Sequence, residues 1–363
     1  MKKIGNLRLI VLENAYELGV LVDNHLKTLR KSEESFIVPI KNSRFSNGEG
    51  KIEICESVRD KDVYILSDIG NYSCTYKMRG VDHNMGPDEH FADVKRVIAA
   101  TANHAKRVSV LMPLMYESRQ HKRKGRESLD CALGLQSLFD YQIKTYVTFD
   151  AHDPGVSNAV PSKGFENFFA TSEILKRMYE LDVEDANNML VLAPDKGAVD
   201  RASYYSDIIG CQIGFFNKRR DYSKLVNGKN PIIGHDYLGE PMKGKDIVIV
   251  DDMIASGGSV LDVAEKAKNM GANKVFICAT FALFTEGIES FEKAYENGII
   301  DRVYSTNLTY VPESIKALPW YIDVDASSKI ANIINNLNKG RSLEPIHHEG
   351  TETYKKIREI KKV

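Results

Sequence analysis

Short apolar runs rich in β-branched residues recur along the chain, and longer segments between them repeat their apolar positions every three to four residues. The runs predict strands at Arg8–Leu12, Phe36–Ile40, Asp62–Leu66, Arg107–Leu114, Lys144–Phe149, Met189–Ala193, Gln212–Phe216, Ile247–Val250 and Lys274–Phe281. The longer segments predict helices at Asp88–Ala105, Ser128–Tyr141, Ser172–Leu181 and Ser259–Met270. In the last of these Val260, Val263, Ala264 and Ala267 share one face, and Gly271 stands where a left-handed terminal residue is wanted. A later helix is expected at Ser327–Leu337, followed by a polar tail of low order or a short surface helix. Strand–helix alternation of this kind makes βαβ units, so the fold class is α/β with mostly parallel sheets flanked by helices. At 363 residues the chain suits two such domains better than one core. We place them at 1–160 and 161–340, with the tail at 341–363.

Composition narrows the function classes. Hydrophobic content is 43% and charged content 27%, ordinary for a soluble globular protein. A formal net charge of −1 argues against nucleic-acid and acidic-membrane partners. Cys55, Cys74, Cys131, Cys211 and Cys278 are scattered without a C-x-x-C pair, the pattern of reduced thiols in a cytoplasm. The opening "MKKIGNLRLIVLENAYELG" reads as a first strand and not a signal peptide, and no run reaches membrane-spanning length.

Chemistry concentrates in "VIVDDMIASGGSV", Val248–Val260. An apolar strand runs into two adjacent acids, then into the small residues Ala255, Ser256, Gly257, Gly258 and Ser259, then into a helix. Ligands of open parallel sheets gather at the carboxyl ends of strands. A loop with little side chain lets backbone N–H groups close around an anion, and the helix start adds its positive end. Asp251 and Asp252 would be repelled by bare phosphate, so they should face hydroxyls or a divalent cation. A pentose 5-phosphate meets both demands. The plain alternative is a strand–turn–helix with an acidic cap.

The same stretch resembles the phosphoribosyl pyrophosphate-binding signature shared by type I phosphoribosyltransferases and ribose-phosphate pyrophosphokinases. Other motifs resemble the second family. "RFSNGE", Arg44–Glu49, is similar to its nucleotide-contacting loop, which implies that Phe45 stacks on adenine and that Asn47 and Glu49 bond its edge. Arg119 and Gln120 stand at the family's "ARQD" position and His152, in "TFDAHDPGVSN", at its "MDLHA" position. The resemblance gives Arg119 and Gln120 to ATP, and His152 to ATP phosphate and magnesium. "LAPDKGAVDRA" is close to "PDAGGAKR" and puts Asp195 on metal or ribose. Lys218 and Arg220, in "FFNKRRDYSK", match the catalytic "HKxR" loop. Cations belong there, because diphosphoryl transfer builds negative charge on the bridging oxygen and the moving phosphate. The polar stretch after Arg220, "LVNGKNPIIGHDYLGEP", is expected to be a long structureless lid.

The resemblance covers nearly the whole chain and implies two tandem phosphoribosyltransferase-type I-like domains. It implies a magnesium-dependent transferase of nucleotide biosynthesis, a ribose-phosphate diphosphokinase that takes ATP and ribose 5-phosphate. Ribose 5-phosphate would be held by Asp251, Asp252, Ser256, Gly257, Gly258 and Ser259. It also implies a homo-oligomer built from dimers, up to a hexamer. Two alternatives are a phosphoribosyltransferase and a non-catalytic regulatory subunit. Departures give the second some weight: His121 replaces an Asp, Ala255 replaces an acid, Phe281-Ala282 replaces a His-Gly or His-Ala, and Gly70–Pro87 is longer than the usual connection. Arg59 resembles a residue of the family's phosphate/ADP regulatory site.

Overall fold

The computed structural model describes residues 6–102, 104–220 and 232–350, with 353 and 355; at 217–220 and 232–235 only the backbone is described. Two compact units result, one comprising 1–170, 307–311 and 325–347, the other 171–306, 312–324 and 348–363.

The first unit carries strands β1 (Leu7–Val11), β2 (Ile40–Arg44), β3 (Gly50–Ile54), β4 (Asp62–Leu66), β5 (Thr75–Met78), β6 (Val81–Asn84), β7 (Arg107–Leu111), β8 (Thr145–Phe149) and β9 (Gly164–Phe168). Five of them form a parallel sheet in the order β1-β4-β7-β8-β9. β4 and β8 are buried at every position, as the central strands of a two-faced sheet must be. Helices α1 (Tyr16–Arg30), α2 (Pro87–Ala100) and α3 (Asp130–Asp140) flank the strands in sequence. β2–β3 and β5–β6 are separate antiparallel hairpins.

The second unit holds β10 (Met189–Ala193), β11 (Gln212–Arg220), β12 (Ile232–Leu238), β13 (Asp246–Ile254), β14 (Val275–Ala282), β15 (Arg302–Thr306) and β16 (Tyr321–Val324). They lie in the order β12-β11-β10-β13-β14-β15-β16, parallel except for the β11/β12 pair. Its helices are α4 (Thr171–Leu181), α5 (Val199–Ile209), α6 (Gly258–Asn269), α7 (Glu289–Glu296) and α8 (Glu313–Lys316). α9 (Ser327–Lys339) and α10 (Glu344–His347) return to the first unit.

Three sequence expectations need correcting. A continuous division at 160/161 fails because β9 pairs with β8 in the first sheet, and α9 packs against α1. Ile330, Ala331, Ile333 and Ile334 of α9 are fully buried there. The expected strand Phe36–Ile40 reduces to one parallel bridge, Ile37 to Leu9, before the chain turns into β2. The stretch after Arg220 is not wholly structureless, since Ile232–Leu238 pairs with β11; residues 221–231 lie outside the described residues. The tail takes its short-helix alternative in part: α10 spans Glu344–His347, Thr353 is buried, and a Cβ on Gly350 would meet Tyr204 Oη at 2.6 Å.

Candidate active site

In the second sheet the chain leaves β10 for β11 on one side, then crosses back to lay β13 on the other. Strand order therefore reverses at β10/β13, and ligands of open α/β sheets bind at the carboxyl ends of strands at such a reversal. β10 stops at Ala193, and its pairing with β13 ends at Leu192 and Ile249, while β13 continues to Ile254 against β14. Asp251 and Asp252 thus sit inside a strand that outlasts one neighbour, not at a strand's end as the sequence suggested. The side facing β10 has no further strand to bond.

Asp252 is buried and Asp251 partly so. Burial, then the neighbouring Asp252 carboxyl and its hydrogen bond, push Asp251 up to about 8, while Arg201 works against the rise. Arg201 Nη1 lies 4.0 Å from Asp251 Oδ1, with its side chain only 11% exposed. α5 supplies this cation because Asp195 caps the turn after β10, accepting from Gly197 N at 2.8 Å. Asp195 itself is exposed. Arg201 ends the "LAPDKGAVDRA" stretch, and only strand order brings that stretch beside the acidic pair.

The loop after β13 keeps Ser256, Gly258 and Ser259 exposed. Gly257 is buried at φ +78, and a Cβ there would lie 2.3 Å from the Phe291 ring. Both the left-handed backbone and the close approach require glycine. Gly257 is also the N-cap of α6, and it has no side chain to accept from the first-turn N–H groups. The first turn of a helix is its positive end, where backbone N–H groups favour an anion. The residues assigned to a sugar phosphate are therefore brought together: two acids, an opposing guanidinium, and an open amide-rich turn.

Lys218 and Arg220 belong to β11, where Lys218 pairs with His235 and Arg220 with Ile232 along the backbone; their side chains lie outside the described residues.

The ATP-assigned residues fall in the first unit. Phe45, Asn47 and Glu49 form the turn of the β2–β3 hairpin, closed by Phe45 N to Glu49 O at 2.8 Å. Asn47 Nδ2 donates to Glu49 Oε2 at 2.9 Å, and Phe45 is 54% exposed. Arg44, which began the motif, is structural: it donates to both Asp93 oxygens at 2.9 and 2.6 Å and fixes the hairpin to α2. Arg119 is exposed, whereas Gln120 Nε2 closes its own loop on Ser128 O at 2.9 Å.

His152 is exposed, with its ring 5.2 Å from that of His121. His121 Nδ1 bonds Ser118 O at 3.1 Å, and Nε2 lies 3.4 Å from Asp153 Oδ2. Lys122 Nζ reaches the same oxygen at 2.6 Å, and with Gly155 N it holds Asp153 below the usual carboxylate range. The two positions thus meet through the residue that departs from the family pattern. Among the described residues no group of three or more His, Cys, Asp or Glu is arranged to hold a metal.

Residues 7–140 match the family model for the N-terminal domain of ribose phosphate pyrophosphokinase, and residues 168–298 match that for the phosphoribosyl transferase domain. The chain belongs to the ribose-phosphate pyrophosphokinase family. It is 29% identical over 293 residues to the ribose-phosphate pyrophosphokinase of Pyrococcus furiosus, covering 79% of this chain and 94% of that relative. A Mycoplasma genitalium protein of the same name is 27% identical over 348 residues, 93% of each chain. The crystal structure of phosphoribosylpyrophosphate synthetase from Mycobacterium smegmatis shares the fold, with a TM-score of 0.74 at 23% identity over 92% of this chain and 99% of that one. The expected two-domain α/β fold is thereby met. No helix among the described residues is long and apolar enough to cross a membrane.

Proposed function

We infer that the protein is a ribose-phosphate diphosphokinase that moves the β,γ-diphosphoryl group of ATP to ribose 5-phosphate. The observation that carries this reading is the small-residue turn at 256–259, with Ser256, Gly258 and Ser259 exposed, set beside an acidic pair at the reversal of strand order. The turn's N–H groups and the start of α6 take the 5-phosphate, and Asp251 and Asp252 take the ribose hydroxyls. Phe45 stacks on the base while Asn47 and Glu49 bond its edge. Arg119, Gln120 and His152 hold the polyphosphate. The anomeric oxygen attacks the β-phosphorus in line, the bond from that phosphorus to the α,β-bridging oxygen breaks, and AMP departs as the hydroxyl proton is lost. Lys218 and Arg220 stabilise charge on the transferring group and the bridging oxygen.

Magnesium suits the donor set. It prefers oxygen, keeps several waters, and is bound by one or two carboxylates plus substrate phosphates. Asp195, exposed at the carboxyl end of β10, would hold it, and His152 is the other residue assigned to the ion. An ion held there would supply positive charge to offset that of the polyphosphate. Assembly into a dimer-based homo-oligomer belongs to the same reading.

The test is product analysis of the purified protein with ATP, Mg²⁺ and ribose 5-phosphate. AMP and phosphoribosyl pyrophosphate should appear in equal amounts; ADP as the nucleotide product would overturn the reaction. Lys218→Ala should lower kcat by about a hundredfold or more at unchanged thermal stability. A variant of undiminished turnover removes Lys218 from the mechanism.

A further inference from the structure

The segment 71–86, longer than the family's usual connection, folds into the β5–β6 hairpin, whose tip meets the turn of the β2–β3 hairpin. Arg79 and Gly80 form the tip at φ 51 and 83. Arg79 N donates to Ser46 O at 2.9 Å. A Cβ on Gly48 would lie 3.1 Å from Met78 Sδ and 3.4 Å from Tyr76 Oη, so both side chains press on the turn. The Tyr76 ring lies 5.5 Å from the Arg44 guanidinium, and its hydroxyl donates to Glu89 Oε1 at 2.5 Å. Glu89 in turn accepts from Gly86 N at 3.0 Å at the start of α2. Tyr76 is thus tied at once to a helix, to the clamped arginine, and to the turn that bears Phe45, Asn47 and Glu49.

We propose that this hairpin is a nucleotide-specificity device, in which Tyr76 and Met78 act as positioning residues that hold the 45–49 turn in its base-binding pose. The inference rests on the assignment of that turn to the base of ATP. An isolated five-residue turn must be ordered when the base arrives; one held by the hairpin is ordered beforehand, which spares that cost on binding. Asn47 and Glu49 discriminate between bases only while their edge stays fixed.

Steady-state kinetics of Tyr76→Ala, Tyr76→Phe and Phe45→Ala, with ATP or GTP as donor, test the proposal. Tyr76→Ala should raise KM for ATP by about tenfold and narrow the preference for ATP over GTP, through the lost pre-ordering. Its kcat and its KM for ribose 5-phosphate should hold. Tyr76→Phe keeps the ring beside Arg44 but loses the hydroxyl that bonds Glu89 and touches the turn, and should raise KM for ATP by less than Tyr76→Ala does. If Phe45→Ala weakens ATP and Tyr76→Ala does not, the hairpin's role is overturned while the turn's assignment stands. If Phe45→Ala leaves KM for ATP unchanged, the assignment of the turn fails, and the proposal with it. A Tyr76→Ala enzyme in which kcat and both KM values worsen together has lost general structure, and the positioning role is likewise overturned.

Discussion

Removing the Arg201 guanidinium takes away the cation that opposes the upward pull of burial and Asp252 on Asp251. Arg201→Ala should hold the pair's proton to higher pH. The acid limb of kcat/KM for ribose 5-phosphate then moves upward, and activity at neutral pH falls by about tenfold for each unit moved. A pH profile superimposable on that of the parent would refute the coupling. Asp68 offers a separate test in the first unit. It is buried and pushed up to about 7 by desolvation, although Gly70 N, Thr309 Oγ1 and Tyr310 N all donate to it. A carboxyl raised in the folded state costs nothing below its unfolded value near 3.8, and costs more as pH rises towards the folded value. Asp68→Asn turns an acceptor into a donor facing an N–H, so the variant should be less stable in acid. Its deficit should narrow by a few kcal/mol, on the order given by the linkage relation, between pH of about 4 and about 7. Urea unfolding of both proteins along that range gives the comparison. Asp251, Asp195 and Phe45 were legible as residue types in motifs. The Arg201 and Asp68 pairings were not, because each joins chain segments far apart in sequence.

At the level of elements, the strand–loop–helix of β13 and α6 separates folding from binding. Gly257→Ala meets both a left-handed backbone and the Phe291 ring, so it should destabilise by about 2 kcal/mol or more and distort the turn. Gly258 has no such constraint, with only Ser256 Oγ near a new Cβ, at 3.9 Å. Gly258→Ala should therefore leave the melting temperature nearly unchanged, yet raise KM for ribose 5-phosphate by crowding the amides where the anion approaches. Equal effects of the two variants on stability, or none of Gly258→Ala on binding, would contradict this division. Apolar runs placed β4 and β10 at their observed bounds, since buried central strands are mostly apolar; in β4 only the leading Asp62 is charged. The short hairpins escaped this pattern. β5 and β6 are half-exposed and polar, and they are held by contacts to the 45–49 turn and α2.

For the whole molecule, the first unit is completed by chain that follows the second. Asp62 on β4 accepts from Arg107 Nε at 2.7 Å and from Asn338 Nδ2 of α9 at 2.7 Å, while Arg107 Nη2 donates to Leu337 O at 2.9 Å. Arg30 of α1 donates to Asn338 Oδ1 at 2.8 Å. A fragment ending at Ala170 would leave the buried Asp62 short of a partner and the face of α1 uncovered. It should fail to melt cooperatively, whereas adding residues 325–347 through a linker should restore a transition; calorimetry of both fragments checks this. A cooperative melt of the short fragment would show that α9 is dispensable. By itself the sequence determined the α/β class, the central strands, and the motif that joins an acidic pair to a glycine-rich helix start. Local periodicity and backbone preference encode those within a dozen residues. Only tertiary structure decided the reversal of strand order that sets Asp251 against α5, the return of α9 to the first sheet, and the docking of an added hairpin on the base-contacting turn. Such pairings depend on which distant surfaces bury one another, and no local pattern carries that information.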